Sequence, residues 1–327
     1  VSEGEVQHTA ATSELDTEQL GRTVVMTRSH SASERKRKIG AEALEAVGRQ
    51  QWLDRPGYRL EHVLAVAFAS FGRNRDRVSN ALHGTWLGHP LHPALTALPT
   101  GAVATTLALD AASVLPGHTA GLRDASRLAL GVGIIGSLGA AATGATDWQH
   151  THAEPRRIGI VHGFLNVVAT ALYSLSWWDR RRGRHLRGMA KSALGYGLTL
   201  GSGYLGGALV FGSGVGVDQS GPRVQADEWT PVLPVAELNG RPQRVEIHGV
   251  GVVLHCDGDG VLAVGEYCPH LRAPMSDGWV DHGRVVCPWH GSRFECRTGD
   301  VLKGPATASL PSYPTRVRGG MVEVYAR

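Results

Sequence analysis

The sequence predicts a multidomain chain, an all-α four-helix transmembrane bundle followed by a small all-β domain. Three observations predict it. Four long stretches between residues 94 and 217 are almost free of charge. From Trp229 onwards the pattern changes to short alternating strands broken by turn residues. Within that second part, the stretch CPHLRAPMSDGWVDHGRVVCPWHGS (268–292) sets Cys268 two residues before His270 and Cys287 three before His290. No helix or strand demands that spacing. The boundaries expected from these shifts are a polar segment over 1–57, an amphipathic helix over 58–80, the bundle over 81–217, a linker over 218–227 and the β domain over 228–327.

The polar segment is rich in Ser, Thr, Glu and Arg, with no aromatic residue before Trp52. It buries too little apolar surface to offset its ordering entropy and is expected to be mostly disordered. Its basic run Arg35-Lys36-Arg37-Lys38 reads as a solvated charge run. Leu60, Val63, Leu64, Ala67, Phe68 and Phe71 then recur at helical spacing, flanked by arginines. That is the pattern of a helix lying in a membrane interface. The excess of basic residues, 33 against 29 acidic, collects in short loops and gives no reason to expect nucleic acid.

The bundle rests on length and charge. The stretch 94–115 carries only Asp110, 128–146 carries no charge, 158–178 carries only His162, and 192–217 is uncharged. A hydrocarbon core needs roughly 20 apolar residues per helix, and each stretch has about that many. Gly131, Gly133, Gly136 and Gly139, with the glycines from Gly195 to Gly207, would allow the close helix packing that membranes favour. Asp110 is expected to pair with Arg123 or Arg127. The positive-inside count is close to a tie.

In the β part, PVLPVAEL, RVEIHGVGVVLHC, VLAVGEY, GRVVC and MVEVYAR read as strands. Two thiolates and two imidazoles on two turns suit an iron–sulfur centre of mixed ligation, with Cys268 and Cys287 on one iron and His270 and His290 on the other. A Cys2His2 zinc site is the alternative. Four cysteines are too few for a disulfide framework, and Cys256 and Cys296 are expected as buried thiols.

These residues resemble the Rieske [2Fe–2S] family over about 228–327. The resemblance implies Cys268, His270, Cys287 and His290 as cluster ligands and a one-electron carrier whose two histidines are exposed at the tip. It implies that Gly304-Pro305-Ala306 is a loop covering the cluster, with Pro305 shielding it, and that Ser292 donates a hydrogen bond to it. Ala273 and Trp289 stand where the family's cytochrome bc members carry a disulfide, so no disulfide is expected. Phe294 stands where high-potential members have a tyrosine hydroxyl. Losing that donor destabilises the reduced state, so the lower half of the Rieske range, about −150 to +300 mV, is expected. The domain resembles a Rieske-type ferredoxin more than a quinol-oxidising subunit.

HGTWLGHPLHPAL (83–95) and TGATDWQHTH (143–152) resemble an uncharacterised family of four-helix bacterial membrane domains, over about 84–217. His83, His89, His92, His150, His152 and His162 would all fall on the side that carries the Rieske domain. His92 and His162, at similar depth on parallel helices, could ligate a b-type haem, bind quinone, or serve structure alone with His162 on a neighbouring carbonyl. The function expected is a membrane-anchored [2Fe–2S] electron carrier between the quinone pool or a membrane haem and a soluble partner or reductase. The alternatives are a tethered ferredoxin-like module and a redox sensor. Neither a stand-alone catalyst nor a nucleic-acid partner is expected. With no leader of the exported type and no disulfide, the expected place is the bacterial cytoplasmic membrane, multi-pass, with the Rieske domain cytoplasmic.

Overall fold

A computed structural model describes residues 40–115, 119–225, 227–257 and 260–326. By contact the chain divides between Arg49 and Gln50, and the helical and β parts after Gln50 form one unit. The N-terminal unit has a helix, α1, over 40–48. The polar segment is thus helical over 40–48, and its basic run Arg35–Lys38 lies outside the described residues.

The expected helix over 58–80 is two helices, α2 (Asp54–Ala69) and α3 (Arg75–His83). The break falls at Gly72, whose φ of +52° does not continue an α-helix and which opens a short 3-10 turn, Gly72–Asn74. Ion pairs tie α2 to the bundle, Asp54 to Arg157 at 2.8 Å and Glu61 to the buried Arg156 at 2.5 Å. Leu60, Val63 and Val66 of α2 and Phe71 just beyond it are left exposed, an apolar face turned away from the protein.

The bundle comprises α4 (Leu91–Ser113), α5 (Thr119–Trp148), α6 (Ala153–Arg181) and α7 (His185–Gly207). It is built from two hairpins, α4 with α5 and α6 with α7. Small residues set the closeness of the first. A Cβ on Gly136 would lie 3.0 Å from Pro99 Cδ, and one on Gly144 2.7 Å from the His92 ring.

Polarity is inverted relative to a soluble bundle. Leu128, Ile135, Phe164 and Leu186 lie on the outside, while Thr106, Asp110, Ser126, Ser176, Arg180 and Ser192 are buried. Apolar side chains outside and satisfied polar groups within are the pattern that a hydrocarbon surround favours. Asp110 pairs with Arg180 rather than Arg123 or Arg127. Two bonds of 2.6 Å join carboxylate to guanidinium, and Ser126 accepts a third from Arg180 at 2.8 Å. The reason is geometric: Arg180 ends α6 inside the bundle, whereas Arg127 faces out and turns to Asp124 at 3.3 Å.

Among the described residues three helices, α4, α5 and α6, are long and apolar enough to cross a membrane. The fourth expected span falls on α7, which begins with charged residues, Arg187 and Lys191, and ends at Gly207 in a π-helical turn, Ala208–Gly212.

Among the described residues the β part holds three antiparallel sheets. β1 (Glu228–Pro234), β11 (Met321–Ala326) and β10 (Thr315–Arg318) form one, in that order. β2 (Gln243–Ile247), β3 (Val250–Asp257), β4 (Gly260–Gly265) and β9 (Ser312–Tyr313) form the second. β5 (Trp279–Asp281), β6 (Arg284–Val286), β7 (Arg293–Glu295) and β8 (Val301–Lys303) form the third.

β3 and β4 are a wall between two cores. Strand alternation sends Val252, Leu254 and Ala263 into one core, beside Val322 and Val324. It sends Val253 and Val264 into the other, with Met275, Phe294, Cys268 and Cys287. The second core is the floor of the site.

Candidate metal centre

Two loops of matching construction carry the Cys/His motif. In the first, Cys268 N–H donates to Ala273 O at 2.9 Å and Arg272 N–H to Cys268 O at 2.9 Å. In the second, Cys287 N–H donates to Ser292 O at 2.8 Å and Gly291 N–H to Cys287 O at 3.1 Å. The spacing is the same in both, and each loop turns through a left-handed residue, Arg272 at φ +60° and Gly291 at φ +70°. Arg272 is held there by stacking its guanidinium 4.2 Å from the Tyr267 ring centre.

The loops bring like ligands together. The buried Cys268 thiol donates to the Cys287 sulfur, which pulls Cys287 down to about 6, and the same bond and burial raise Cys268. The rings of His270 and His290 stand 5.0 Å apart and perpendicular. Burial, then neighbouring imidazoles, push His270 down to about 3 and His290 to about 4, so both are neutral at physiological pH. Neutral imidazole is the ligand form of histidine. His270 Nδ1 is buried without a hydrogen-bond partner. Among the described residues no three His, Cys, Asp or Glu side chains converge as a single metal ion would require. A thiol pair beside an imidazole pair suits two irons and not one zinc ion.

Ser292 is fully buried, and its Oγ accepts from Ala306 N–H at 3.0 Å, leaving the hydroxyl proton to donate elsewhere. That bond ties the second loop to Gly304-Pro305-Ala306, all buried. Ala273 is buried and Trp289 exposed, and among the described residues no disulfide joins any of the four cysteines. Cys296 is buried and Cys256 partly so. Phe294 lies wholly in the core.

The histidine edge is not at a free tip. It faces the bundle. His290 Nε2 lies 2.8 Å from His152 Nε2, with the rings stacked at 5.1 Å. His150 stands 6.0 Å from His270, 5.8 Å from His290 and 5.4 Å from His83. Burial, then the imidazoles around it, push His150 down to about 2. His83 is bound through Nδ1 to Asp147 at 2.7 Å.

Helix α3 latches the β domain beside this cluster. Asn80 Nδ2 donates to Leu302 O, and Asn80 Oδ1 accepts from Gly304 N–H, both at 3.0 Å. Asp76 pairs with Lys303 at 3.0 Å. A cavity of about 30 Å³ remains at the joint, lined by Asp147, His270, Pro305 and Pro90 among others. It has room for about one water and none for a quinone ring.

His92 and His162 also meet, with ring centres 6.3 Å apart. His92 Nδ1 donates to Ala140 O at 2.9 Å, and His162 Nδ1 to Ser202 O at 2.8 Å, while Asn166 Nδ2 lies 3.3 Å from His162 Nε2. His89 stays outside both groups, bonded to Pro90 O. Sequence reasoning put His83, His150 and His152 on this side without joining them to the ligand pair. Their position at helix ends was the signal, but nothing in the sequence gives the docking of the β domain.

Residues 228–314 match the Rieske [2Fe-2S] domain family, and residues 88–219 match a family described as predicted membrane protein (DUF2231). Mouse "Apoptosis-inducing factor 3" is 36% identical over 88 residues, 27% of this chain but 14% of that protein, so the chain spans a small part of its length. The "Anthranilate 1,2-dioxygenase ferredoxin subunit" of Burkholderia cepacia is 32% identical over 98 residues, 30% of this chain and 91% of the subunit. The solved ferredoxin of carbazole 1,9a-dioxygenase from Nocardioides aromaticivorans IC177 is 27% identical, covering 30% of this chain and 98% of its own, with a TM-score of 0.29. The family implies a [2Fe–2S] cluster. This chain belongs to the Rieske [2Fe–2S] family and carries that domain behind a predicted membrane domain.

Proposed function

We propose that the chain is a membrane-anchored, one-electron Rieske carrier in which Cys268 and Cys287 hold one iron and His270 and His290 the other. The observation that carries this reading is the twinned loop pair, which sets a thiol pair and a neutral imidazole pair side by side over one core. A [2Fe–2S] cluster held there supplies a reversible one-electron store. The residues do the rest. The bond from Cys268 lowers Cys287 toward its thiolate form, the two histidines are neutral, Ser292 has a hydroxyl proton to give, and Pro305 with Ala306 keeps bulk water out.

Electron exchange with a soluble oxidoreductase is supported by the ferredoxin relative, whose name places it in a dioxygenase system. The helices anchor the carrier, α4 to α6 as spans and α7 as the fourth, with the apolar face of α2 lying on the lipid surface and the Rieske domain on the cytoplasmic side. His92 and His162 act as clasps within the two helix hairpins, α4 to α5 and α6 to α7, rather than as haem or quinone ligands, because both nitrogens of His162 already have partners.

The test is EPR and visible spectroscopy of the dithionite-reduced full-length protein in detergent, with a pyridine haemochrome assay. A Rieske signal lost in Cys268→Ser and His270→Ala, and no b-type haem, is expected. Full signal in either variant would sink the ligand assignment, and stoichiometric haem would sink the clasp assignment.

A further inference from the structure

The bond between His290 and His152 joins a residue of the metal centre to a residue of the membrane bundle. His152 precedes α6 at its N-cap, with extended backbone, and reaches the β domain from there. The two Nε2 atoms are 2.8 Å apart, a hydrogen-bond distance, so one carries the shared proton and the other accepts it. With His290 Nε2 taken up in this bond, Nδ1 is the nitrogen left for metal, matching the buried, unpartnered Nδ1 of His270. A neutral imidazole bound to metal through Nδ1 carries its proton on Nε2. His290 is therefore the donor, and His152 accepts with its own proton on Nδ1.

Metal-ligating histidines regularly give their second N–H to a carboxylate, a carbonyl or water, which fixes the ring and raises its basicity. Here the acceptor is an imidazole on the other half of the molecule. We propose that His152 is a positioning residue for the cluster, tuning its potential from the bundle and thereby linking redox state to docking. The proposal rests on the reading that His290 is a ligand of a [2Fe–2S] cluster.

The direction follows from charge. An acceptor on the ligand's N–H pushes electron density toward iron and favours the oxidised form, which lowers the midpoint. Coupling is reciprocal. If docking onto His152 favours the oxidised state, adding one electron from an outside donor weakens docking by the same factor. Other attachments of this joint, Asn80 with Leu302 and Gly304 and Asp76 with Lys303, touch neither ring and give an independent handle on docking.

The experiment is an EPR-monitored redox titration of the full-length protein in detergent, wild type beside His152→Ala, His152→Gln and Asn80→Ala. His152→Ala is expected to raise the midpoint by about 59 mV, a tenfold change for one electron. Gln, which keeps an acceptor, restores part of the shift. Asn80→Ala, by loosening the joint, moves the midpoint in the same direction by less. Hydrogen exchange over 301–306 is expected to quicken on reduction in the wild type and to lose that dependence in His152→Ala. A cluster present throughout with an unchanged midpoint in His152→Ala overturns the inference alone. Absence of any Rieske signal in the wild type overturns the ligand reading and the inference with it. Should His152→Ala fail to assemble, an unmoved midpoint in both His152→Gln and Asn80→Ala overturns the inference.

Discussion

Replacing Ser292 by Ala separates two jobs of one hydroxyl. Its oxygen accepts from Ala306 N–H at 3.0 Å, with Ser292 at 0% exposure and Ala306 at 1%. Water cannot replace the lost partner there, so the orphaned N–H costs about 1–3 kcal/mol. The hydroxyl proton is the other half. A hydrogen bond to a charged acceptor is worth about 1.5–3 kcal/mol, and it is stronger when the acceptor holds an extra electron. If half of its worth is lost on oxidation, the difference is about 0.75–1.5 kcal/mol, or roughly 30–65 mV for one electron. The midpoint of Ser292→Ala should fall by that amount in a redox titration, from a wild-type value in the lower half of the Rieske range. Thermal unfolding should show the loss of stability separately. An unchanged or raised midpoint would refute the assignment of Ser292 as a donor to the cluster, whatever the melting curve does.

The buried Asp110–Arg180 pair makes a second prediction. Asp110→Ala leaves a guanidinium uncompensated inside the bundle and should destabilise it by about 3–5 kcal/mol, while Asp110→Leu with Arg180→Met should be near neutral. Reversible unfolding in detergent micelles checks both, and equal losses in the single and double variants would contradict the network. In the second ligand loop, Gly291→Ala puts a Cβ on a residue at φ +70° and should cost about 1–2 kcal/mol. Arg272 already occupies the matching conformation, so Arg272→Gly should relieve that backbone strain while losing the Tyr267 stack. Unfolding midpoints of the two variants shifting by the same sign and size would argue against the equivalence of the loops.

Where sequence and structure part company, the particulars say why. The strand stretch RVEIHGVGVVLHC is legible by alternation, and the structure only adds the tight turn at His248 and Gly249, both at positive φ, that splits it into β2 and β3. Spacing alone identifies the four candidate ligands, because loops that present metal ligands fix them by local geometry. Sequence distance favours Arg123 and Arg127 as partners of Asp110, and only helix packing brings Arg180, 70 residues away, into reach.

By itself the sequence determined the local and periodic features of this protein: the uncharged helices, the strands and the two loops that carry the candidate ligands. Each depends on residues near one another in the chain or on a repeat of burial, which a single strand of text records. Tertiary structure alone decided that the histidine edge is covered, that Asn80 latches the loop over it, and that His152 meets His290 across 138 residues. Those contacts join surfaces that lie far apart in the chain. No pattern in either segment encodes the register of one against the other, because complementarity between them exists only after both have packed.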